Sequence, residues 1–256
     1  MKTIALVPVF NEAKNIVDVL NEIEEYVDEI LIVNDASWDD SEKLITGWFA
    51  SGHAGQLITL NKNKGNAAAI ISGYAFIELR LHAGTLDETD IIVTIDADGQ
   101  HKPSDIPRLV DFMVERDLDM VRGRRSFAKY PRHKRLGNRL LSWVLSIAAG
   151  QKLRDSMSGF CVQRAYTIEP LLRYATGYRY AMQGQMTVIL PRVGYKISDE
   201  PLVEVAYFQS HTRYRDVVTI VALTYAALFK AIFKLDAGRR RRQWANGQFD
   251  RRRKAA

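Results

Sequence analysis

The sequence has only one cysteine, Cys161, in 256 residues. A single thiol excludes an intrachain disulfide and is typical of a protein made in a reducing compartment. Such a lone cysteine is more often a small apolar core residue than a nucleophile. The histidines other than His101 also lack the spacing that metal ligands have in known sites. We therefore expect neither a disulfide framework nor a metal site built from these histidines.

Long apolar runs are missing as well. The N-terminal stretch is too short for the apolar segment of a signal peptide and reaches Pro8 at once. Residues 217–229 are uncharged, but Lys230 and Lys234 interrupt the run before it reaches the ~20 apolar residues that span a bilayer. We expect no signal peptide and no transmembrane helix.

Acidic residues are scarce at the C-terminal end, where the basic charge is concentrated. The formal net charge is +6, while residues 237–256 contain eight basic residues and one acidic residue and so carry +7. The rest of the chain has a net charge of −1. With 47% hydrophobic and 26% charged residues, the chain as a whole has the composition of a globular protein.

Apolar strands alternate with amphipathic helices along the first half of the chain. Strands are predicted at 3–7, 30–33, 56–60 and 91–95, and a helical pattern follows each of them. This alternation predicts an α/β fold with a mostly parallel, Rossmann-like central sheet flanked by helices.

Two carboxylates, Asp96 and Asp98, stand directly after the most apolar strand. In open α/β sheets ligands bind outside the carboxyl ends of such strands. Two carboxylates aimed at one point repel each other unless a cation lies between them, and Mg²⁺ or Mn²⁺ suits such oxygen ligands, with Gln100 as a neutral third ligand. A surface turn with helix-capping aspartates is an equally weighted alternative, because residues 103–105 open a helix.

The other three predicted strands also end in polar residues. Glu12 and Asp35 have acceptor atoms suited to a base or ribose, and Lys64 beside the flexible Gly65 suits a phosphate. Each signal is weak alone, because Asp and Asn at strand ends are usually turn formers. Together they predict a nucleotide site.

Four motifs follow the strands in order: Val7-Pro8-Val9-Phe10-Asn11-Glu12, Val33-Asn34-Asp35-Ala36-Ser37, Asn63-Lys64-Gly65-Asn66 and Asp96-Ala97-Asp98-Gly99-Gln100-His101. In this order and spacing they resemble family 2 glycosyltransferases of the GT-A fold. Within that family the chain looks most like the dolichol-phosphate mannose synthase and polyprenyl-phosphate sugar transferase branch. The later blocks 123–125, 155–160 and 194–197 continue the match, and several ordered motifs are far more specific than one.

The resemblance implies a donor pocket, a metal site and a set of catalytic residues. Donor binding would involve Pro8, Phe10, Glu12, Asp35, Lys64, Asp96 and Ala97. The metal, Mg²⁺ or Mn²⁺, would be held by Asp96, Asp98 and Gln100. The catalytic residues would be Asp98, Arg125, Asp155, Arg213 and Arg215, with the three arginines positioning and screening two phosphates. For Asp155, a contact with the sugar or acceptor and a turn-forming role are both open.

The chain departs from the family pattern at two places. Asn34-Asp35-Ala36-Ser37 stands where the family usually has Asp-Asp-Gly-Ser, but the second Asp is retained, so we expect donor binding to survive. Gln183-Gly184-Gln185 stands where many relatives carry acidic residues, so no carboxylate there can serve as a general base. A phosphate acceptor, already an anion at neutral pH, needs no such base. His101 is interpreted as a polar loop residue rather than an outer contact of the metal.

Basic residues crowd the segment 122–139, and an apolar segment, 140–149, follows with Trp143 inside it. With the resemblance, this order suits a phosphate-docking region at a membrane surface. The alternative is an ordinary core helix behind a solvated basic loop. Residues 216–236 are predicted to form an amphipathic helix that lies in the membrane interface or docks on the protein or a partner.

The basic tail 237–256 is predicted to be flexible and to bind an anionic membrane surface. At ~1 kcal/mol for each basic residue near such a surface, it could hold the protein there without a spanning helix. Nucleic acid would attract the same charges, but no recognition module accompanies them, so we do not expect nucleic acid to be the partner.

The sequence therefore predicts an inverting glycosyltransferase with a catalytic domain at 1–215. It would move a hexose from a nucleotide-sugar donor of the GDP-mannose or UDP-glucose type to a polyprenyl phosphate. We expect a peripheral protein at the cytoplasmic face of the membrane, and a partner membrane protein or a homo-oligomer is left open. Two alternatives remain: a transferase acting on a sugar or lipid hydroxyl, and a catalytically silent nucleotide-binding membrane scaffold.

Overall fold

The structure is a computed structural model that describes residues 1–127, 130–178, 181–205 and 214–236, with the backbone alone at 214–217 and 232–236. The strands are β1 (Thr3–Val9), β2 (Glu29–Asn34), β3 (Gly55–Thr59), β4 (Ile91–Thr94), β5 (Met120–Arg122), β6 (Arg124–Arg125), β7 (Cys161–Arg164), β8 (Ile197–Ser198) and β9 (Leu202–Val203). The helices are α1 (Ile16–Glu24), α2 (Ser41–Ala50), α3 (Asn66–His82), α4 (Ile106–Glu115), α5 (Arg132–Ala149), α6 (Ile168–Tyr174), α7 (Ala181–Arg192) and α8 (Tyr214–Asp236).

Seven strands form one twisted sheet in the order β3-β2-β1-β4-β7-β5-β8. All neighbouring pairs are parallel except those of β7, which runs antiparallel to both β4 and β5. A second, two-stranded sheet pairs β6 with β9. The predicted α/β fold with a mostly parallel sheet is confirmed, and the reversed β7 is a feature that the hydrophobic pattern did not predict.

Helices cover both faces of the large sheet, which explains why its central strands are continuous apolar runs. Along β1, alternate side chains enter opposite cores. Ile4 and Leu6 pack with residues of α3, α6, α7 and α8, whereas Ala5 and Val7 pack with residues of α1, α2 and α4. Burial on both faces fixes the strand register, because a slip of one residue would exchange the two cores.

The helices α5, α7 and α8 form a layer at one side of the sheet. Ala227 and Ala231 of α8 are buried in the main core, and the hydroxyl of Tyr225 donates to the main-chain oxygen of Val144 in α5 at 3.2 Å. Among the residues that the structure describes, no helix has the length and apolar character needed to cross a bilayer. The tail 237–256 lies outside the described residues.

The turn after β2 contains a residue in the left-handed backbone region. Ala36 has φ +56°, at the position where the family usually carries glycine. This conformation is costly for a residue with a Cβ and easy for glycine. Ala36 therefore holds a backbone conformation in this turn that glycine would adopt at lower cost.

We predict that Ala36→Gly stabilises the protein by about 0.5–1 kcal/mol, because relief of the strained φ outweighs the greater freedom of glycine in the unfolded chain. Urea denaturation of the two proteins measures the difference. The matched control is Ala13→Gly in the neighbouring turn, where φ is not positive and the same change should destabilise. A loss of stability in Ala36→Gly would contradict the prediction.

Candidate active site

The carboxyl ends of β1, β2 and β4 meet at one edge of the sheet because these strands are parallel neighbours. The polar residues that follow them therefore come together, as the sequence predicted. Phe10 and Glu12 follow β1, Asp35 follows β2 and Asp96 follows β4. Pro8 lies buried within β1, opposite Val33.

The turns after β1 and β2 are hydrogen-bonded to each other. The amide of Asn11 donates to Ser37 Oγ at 2.9 Å, and Asn11 Oδ1 accepts from the amide of Trp38 at 3.0 Å. Asn11 has φ +58°, which asparagine tolerates better than most residues. The amide of Glu12 donates to Ser41 Oγ at 2.8 Å. These bonds hold a rigid rim from which the Phe10 ring projects, 40% exposed.

Asp35 organises the turn that precedes α3. Its side chain is buried, and its two carboxylate oxygens accept from the amides of Lys64 at 2.8 Å and Gly65 at 2.6 Å. Gly65 has φ +90°, which lets the chain enter α3 directly after this contact. The Lys64 side chain remains exposed. Asp35 thus builds the loop; its contact with a base or ribose stays a prediction.

Asp96, Asp98 and Glu12 form an acidic cluster at this edge. Burial and the Asp98 carboxylate raise the pKa of Asp96 to about 6, against the opposing effects of an Asn66 hydrogen bond and the Arg125 charge. Burial also raises the pKa of Asp98, and burial together with the Asp98 charge raises that of Glu12. Burial therefore disfavours the ionised form of all three carboxyl groups.

The Asp98 side chain is held by Gln100. One carboxylate oxygen accepts from the main-chain N–H of Gln100 at 3.0 Å, and the other accepts from the side-chain Nε2 of Gln100 at 2.7 Å. This geometry turns the nitrogen of the Gln100 side chain toward Asp98 and leaves its oxygen for another partner. Ala97, between the two aspartates, is buried.

The oxygens of Asp96, Asp98 and Gln100 fit a divalent cation whose remaining coordination positions are filled by substrate oxygens. Two repelling carboxylates suit Mg²⁺ or Mn²⁺, which proteins commonly bind through one or two carboxylates plus substrate phosphates. No group of three or more His, Cys, Asp and Glu side chains within the described ranges could hold a metal by itself. Asp96, Asp98 and Gln100 remain the predicted ligands.

Arg125 lies beside the acidic cluster and is fixed by Asp155. Its Nε and terminal nitrogen donate to the two Asp155 oxygens at 2.8 and 2.9 Å, and its amide donates to the same carboxylate at 3.0 Å. Asp155 is fully buried; burial alone would favour its neutral form, but the Arg125 charge and hydrogen bonds hold its pKa below the ordinary value. This bidentate pair fixes the direction of the guanidinium. A direct contact of Asp155 with a sugar or acceptor stays a prediction.

Two interpretations of the basic segment and its surroundings were wrong. Arg122 is not part of a docking surface, because it is only 1% exposed and donates to the main-chain oxygens of Ser158 and of Gln183, the latter at 3.0 Å. His101, interpreted from the sequence as a polar loop residue, is not at the surface. It is buried, forms a β-bridge with Val205, and has a pKa lowered to about 4 by burial and by the Arg125 charge.

Two predicted catalytic arginines cannot be placed beside the others. Arg213 lies outside the described residues, and Arg215 lies in the first turn of α8, where only the backbone is described. Their contact with phosphates stays a prediction.

Three residues that the motif analysis did not assign belong to this site. Asn66 donates to Asp96 Oδ1 at 3.1 Å, Gln183 donates to Asn66 at 2.9 Å, and Gly159 packs against Asp96 Oδ2. Asn66 and Gly159 lie inside quoted motifs, so their positions were visible in the sequence. Their contacts were not, because 30 to 117 residues separate the hydrogen-bonded partners.

We predict that Asp96→Asn stabilises the metal-free protein. Its free energy of unfolding at neutral pH should rise by about 1–3 kcal/mol. A raised carboxyl pKa means that the folded chain binds more protons than the unfolded chain between pH ~4 and ~6, so stability falls as pH rises through this window. The variant removes that charge and keeps an oxygen for Asn66.

Denaturation in the presence of a chelator, over this pH range, measures the effect. The control is Asp111→Asn, which alters an exposed carboxylate on α4 and should leave the stability and its pH dependence nearly unchanged. Equal behaviour of the two variants would contradict the prediction.

Comparison with known proteins gives matches over most of the chain. The family model described as glycosyl transferase family 2 matches residues 4–160. An uncharacterized protein of Methanocaldococcus jannaschii is 31% identical over 82% of this chain and 91% of its own. A UDP-N-acetylglucosamine–dolichyl-phosphate N-acetylglucosaminyltransferase of Methanococcus voltae is 25% identical over 90% and 96%, and an undecaprenyl-phosphate mannosyltransferase of Micrococcus luteus is 27% identical over 79% and 83%.

The fold is also found among solved structures. The crystal structure of glucosyl-3-phosphoglycerate synthase from Mycobacterium tuberculosis in complex with Mn²⁺, UDP and glucosyl-3-phosphoglycerate superposes with a TM-score of 0.61, at 17% identity, over 90% of this chain and 79% of that one. At this identity the likeness concerns the fold alone. The family model covers more than half of the chain, its motifs converge at one edge of the sheet, and the protein therefore belongs to glycosyl transferase family 2, with the GT-A fold.

Proposed function

We propose that this protein is an inverting glycosyltransferase that moves a hexose from a nucleotide-diphosphate sugar to a polyprenyl phosphate. The observation that carries the proposal is the acidic pair Asp96 and Asp98, placed next to the fixed cation of Arg125 at the ligand-binding edge of the sheet. Relatives from Methanococcus voltae and Micrococcus luteus, whose names include prenyl-phosphate acceptors, support the same class of acceptor.

The donor would bind along the rim formed by the turns after β1 and β2. The exposed Phe10 ring offers a face for a base, and Glu12 offers an acceptor for a ribose hydroxyl. Exposed Lys64 lies on the turn that Asp35 fixes, so its cation can reach the diphosphate. The donor base and the sugar remain open between the GDP-mannose and UDP-glucose types.

Asp96 and Asp98, with the Gln100 oxygen, would hold Mg²⁺ or Mn²⁺ against the diphosphate. When bound, the cation supplies positive charge that stabilises the departing nucleotide diphosphate. The carboxylates, whose pKa values are raised by burial, would lose their mutual repulsion on binding it.

The chain's own cations would manage the charge of the two substrates. Arg125, held by Asp155, would screen the repulsion between donor diphosphate and acceptor phosphate, and we assign Arg213 and Arg215 the same task. The acceptor phosphate oxygen forms a bond to the anomeric carbon while the bond from that carbon to the diphosphate oxygen breaks. The electron pair leaves with the nucleotide diphosphate, and no proton transfer is needed.

The side chains of α7 near the site include no general base, as expected for an acceptor that needs none. Gln183 reaches Asn66 beside the metal site, and Gln185 is bonded to Thr176. Neither amide can remove a proton from a hydroxyl at neutral pH. Asp155, the other candidate base, has both oxygens engaged by Arg125 and a pKa below its ordinary value, with the Arg125 charge overcoming the effect of burial.

An exposed apolar stripe on α5 supports docking on an anionic membrane. Its residues recur at helical spacing on one face and are Leu136, Leu140, Trp143 and Ile147, each more than half exposed. Arg132 and Arg139 fall on the same face by their spacing, and both are exposed. Apolar side chains interleaved with cations suit the boundary between lipid tails and phosphate headgroups. We place this stripe, and the peripheral protein that carries it, at the cytoplasmic membrane face.

The central prediction is metal-dependent transfer of label from one nucleotide-sugar to a short-chain polyprenyl phosphate. A panel of GDP-mannose, UDP-glucose, UDP-galactose and UDP-N-acetylglucosamine, with and without Mg²⁺ or Mn²⁺, identifies the donor. Asp98→Ala should lower transfer by about 100-fold or more, since it removes charge stabilisation of the leaving group. Asp111→Ala, on the exposed face of α4, is the control and should keep the activity.

The outcomes of that assay separate the competing functions. Donor hydrolysis without a lipid product would transfer the assignment to a hydroxyl acceptor. Silence with every donor and metal would refute the enzyme and leave a nucleotide-binding scaffold.

We predict that replacing Leu140 and Trp143 together by glutamine lowers binding to phosphatidylserine-containing vesicles by about tenfold or more, because two exposed apolar anchors are lost. Co-sedimentation measures the binding. Leu79→Gln, which changes an equally exposed leucine on α3, is the matched control and should bind like the unmodified chain. Equal binding of the double variant would exclude the stripe as the membrane contact.

A further inference from the structure

A chain of two amides lies behind the metal-binding end of β4. Asn66 Nδ2 donates to Asp96 Oδ1 at 3.1 Å, and Gln183 Nε2 donates to Asn66 Oδ1 at 2.9 Å. Asn66 is the first residue of α3, and Gln183 is in the first turn of α7. The chain thus joins three elements that are distant in sequence.

The chemistry of the three groups fixes the direction of this chain. An ionised carboxylate can only accept hydrogen bonds, so Asn66 must turn its NH₂ group toward Asp96. The Asn66 carbonyl then faces Gln183, which must turn its own NH₂ group toward it. An acid at position 183 could not fill this place, because a carboxylate has no hydrogen to donate to the Asn66 oxygen.

The other side of the Asp96 carboxylate is closed by backbone. A Cβ added to Gly159 would overlap Asp96 Oδ2, so only glycine fits there without a shift. The Asp96 carboxylate is therefore confined between Asn66 and Gly159. The buried Arg122 connects the residues behind them, since its guanidinium donates to the main-chain oxygens of Ser158, next to Gly159, and of Gln183, which bonds Asn66.

We infer that Asn66 and Gln183 are positioning residues that set the orientation of Asp96 for binding a divalent cation and the donor diphosphate. The inference rests on the proposed function and adds to it the residues that prepare the metal site. Hydrogen-bonded partners behind a ligand typically change metal affinity by about 10- to 100-fold when removed. Through Gln183, the position of α7 becomes linked to the affinity of the metal site.

Calorimetry measures how tightly the protein binds Mn²⁺ in the presence of UDP or GDP. This affinity is measured without turnover. Gln183→Met keeps the size of the side chain and removes the donor, so affinity should fall by about tenfold or more. Gln183→Glu should lower the affinity for Mn²⁺ by a similar factor, since an ionised carboxylate has no hydrogen to donate to Asn66. The matched control is Gln185→Met on the same helix. It is also buried, but it bonds to Thr176 and to the main-chain oxygen of Leu223 instead of the site, so it should lose stability and keep affinity.

A double-mutant cycle distinguishes positioning from general damage to the fold. If Gln183 acts through Asn66, the effects of Asn66→Ala and Gln183→Met on Mn²⁺ affinity should be strongly non-additive, while their effects on melting temperature are compared with those of Gln185→Met. Affinities of Gln183→Met and Gln185→Met within about twofold of each other would overturn the inference and leave the proposed function standing. No binding of Mn²⁺ with either nucleotide by the unmodified chain would overturn both.

Discussion

The burial of neighbouring carboxyl groups at the end of β4 is the constraint around which the rest of the site is arranged. Asp96, Asp98 and Glu12 are brought together in a partly dehydrated place, where burial raises the pKa of each. A protein that needed only stability would neutralise or separate such groups. Here they are instead held rigidly, Asp96 by Asn66 and Gly159, and Asp98 by Gln100. In our proposal, this arrangement prepares the folded chain for a divalent cation.

The second charged element is organised differently. Arg125, which is partly exposed, forms a bidentate pair with the buried Asp155, and the pair costs less to bury than the Asp155 carboxylate alone. Its function in our proposal is geometric, because the pair fixes a guanidinium near the acidic cluster. The acidic cluster and the Arg125 guanidinium thus lie close together at one edge of the sheet. In our proposal, this arrangement suits two phosphates that must approach one another.

The helices α5 and α8 expose large apolar side chains at the protein surface. Their inner faces pack in the core, while Trp143 and Leu140 of α5 and Phe229 of α8 remain largely exposed. Leaving several large apolar side chains in water on neighbouring helices is unfavourable unless a partner covers them. In our proposal, this exposed surface rests on the membrane that carries the lipid acceptor.

The sequence by itself determined the α/β class, the strand ends that carry the candidate site, and the family. Strand and helix periodicity, and motifs such as Asp96 to His101, are local patterns that can be read along the chain. Only the tertiary structure decided that β7 runs antiparallel, that Arg122 and His101 are buried, and that Gln183 supports Asp96 through Asn66. The physical reason is that burial and hydrogen bonding depend on which distant segments pack together. A charged or polar residue looks the same in sequence whether it meets water, a carboxylate or a main-chain oxygen.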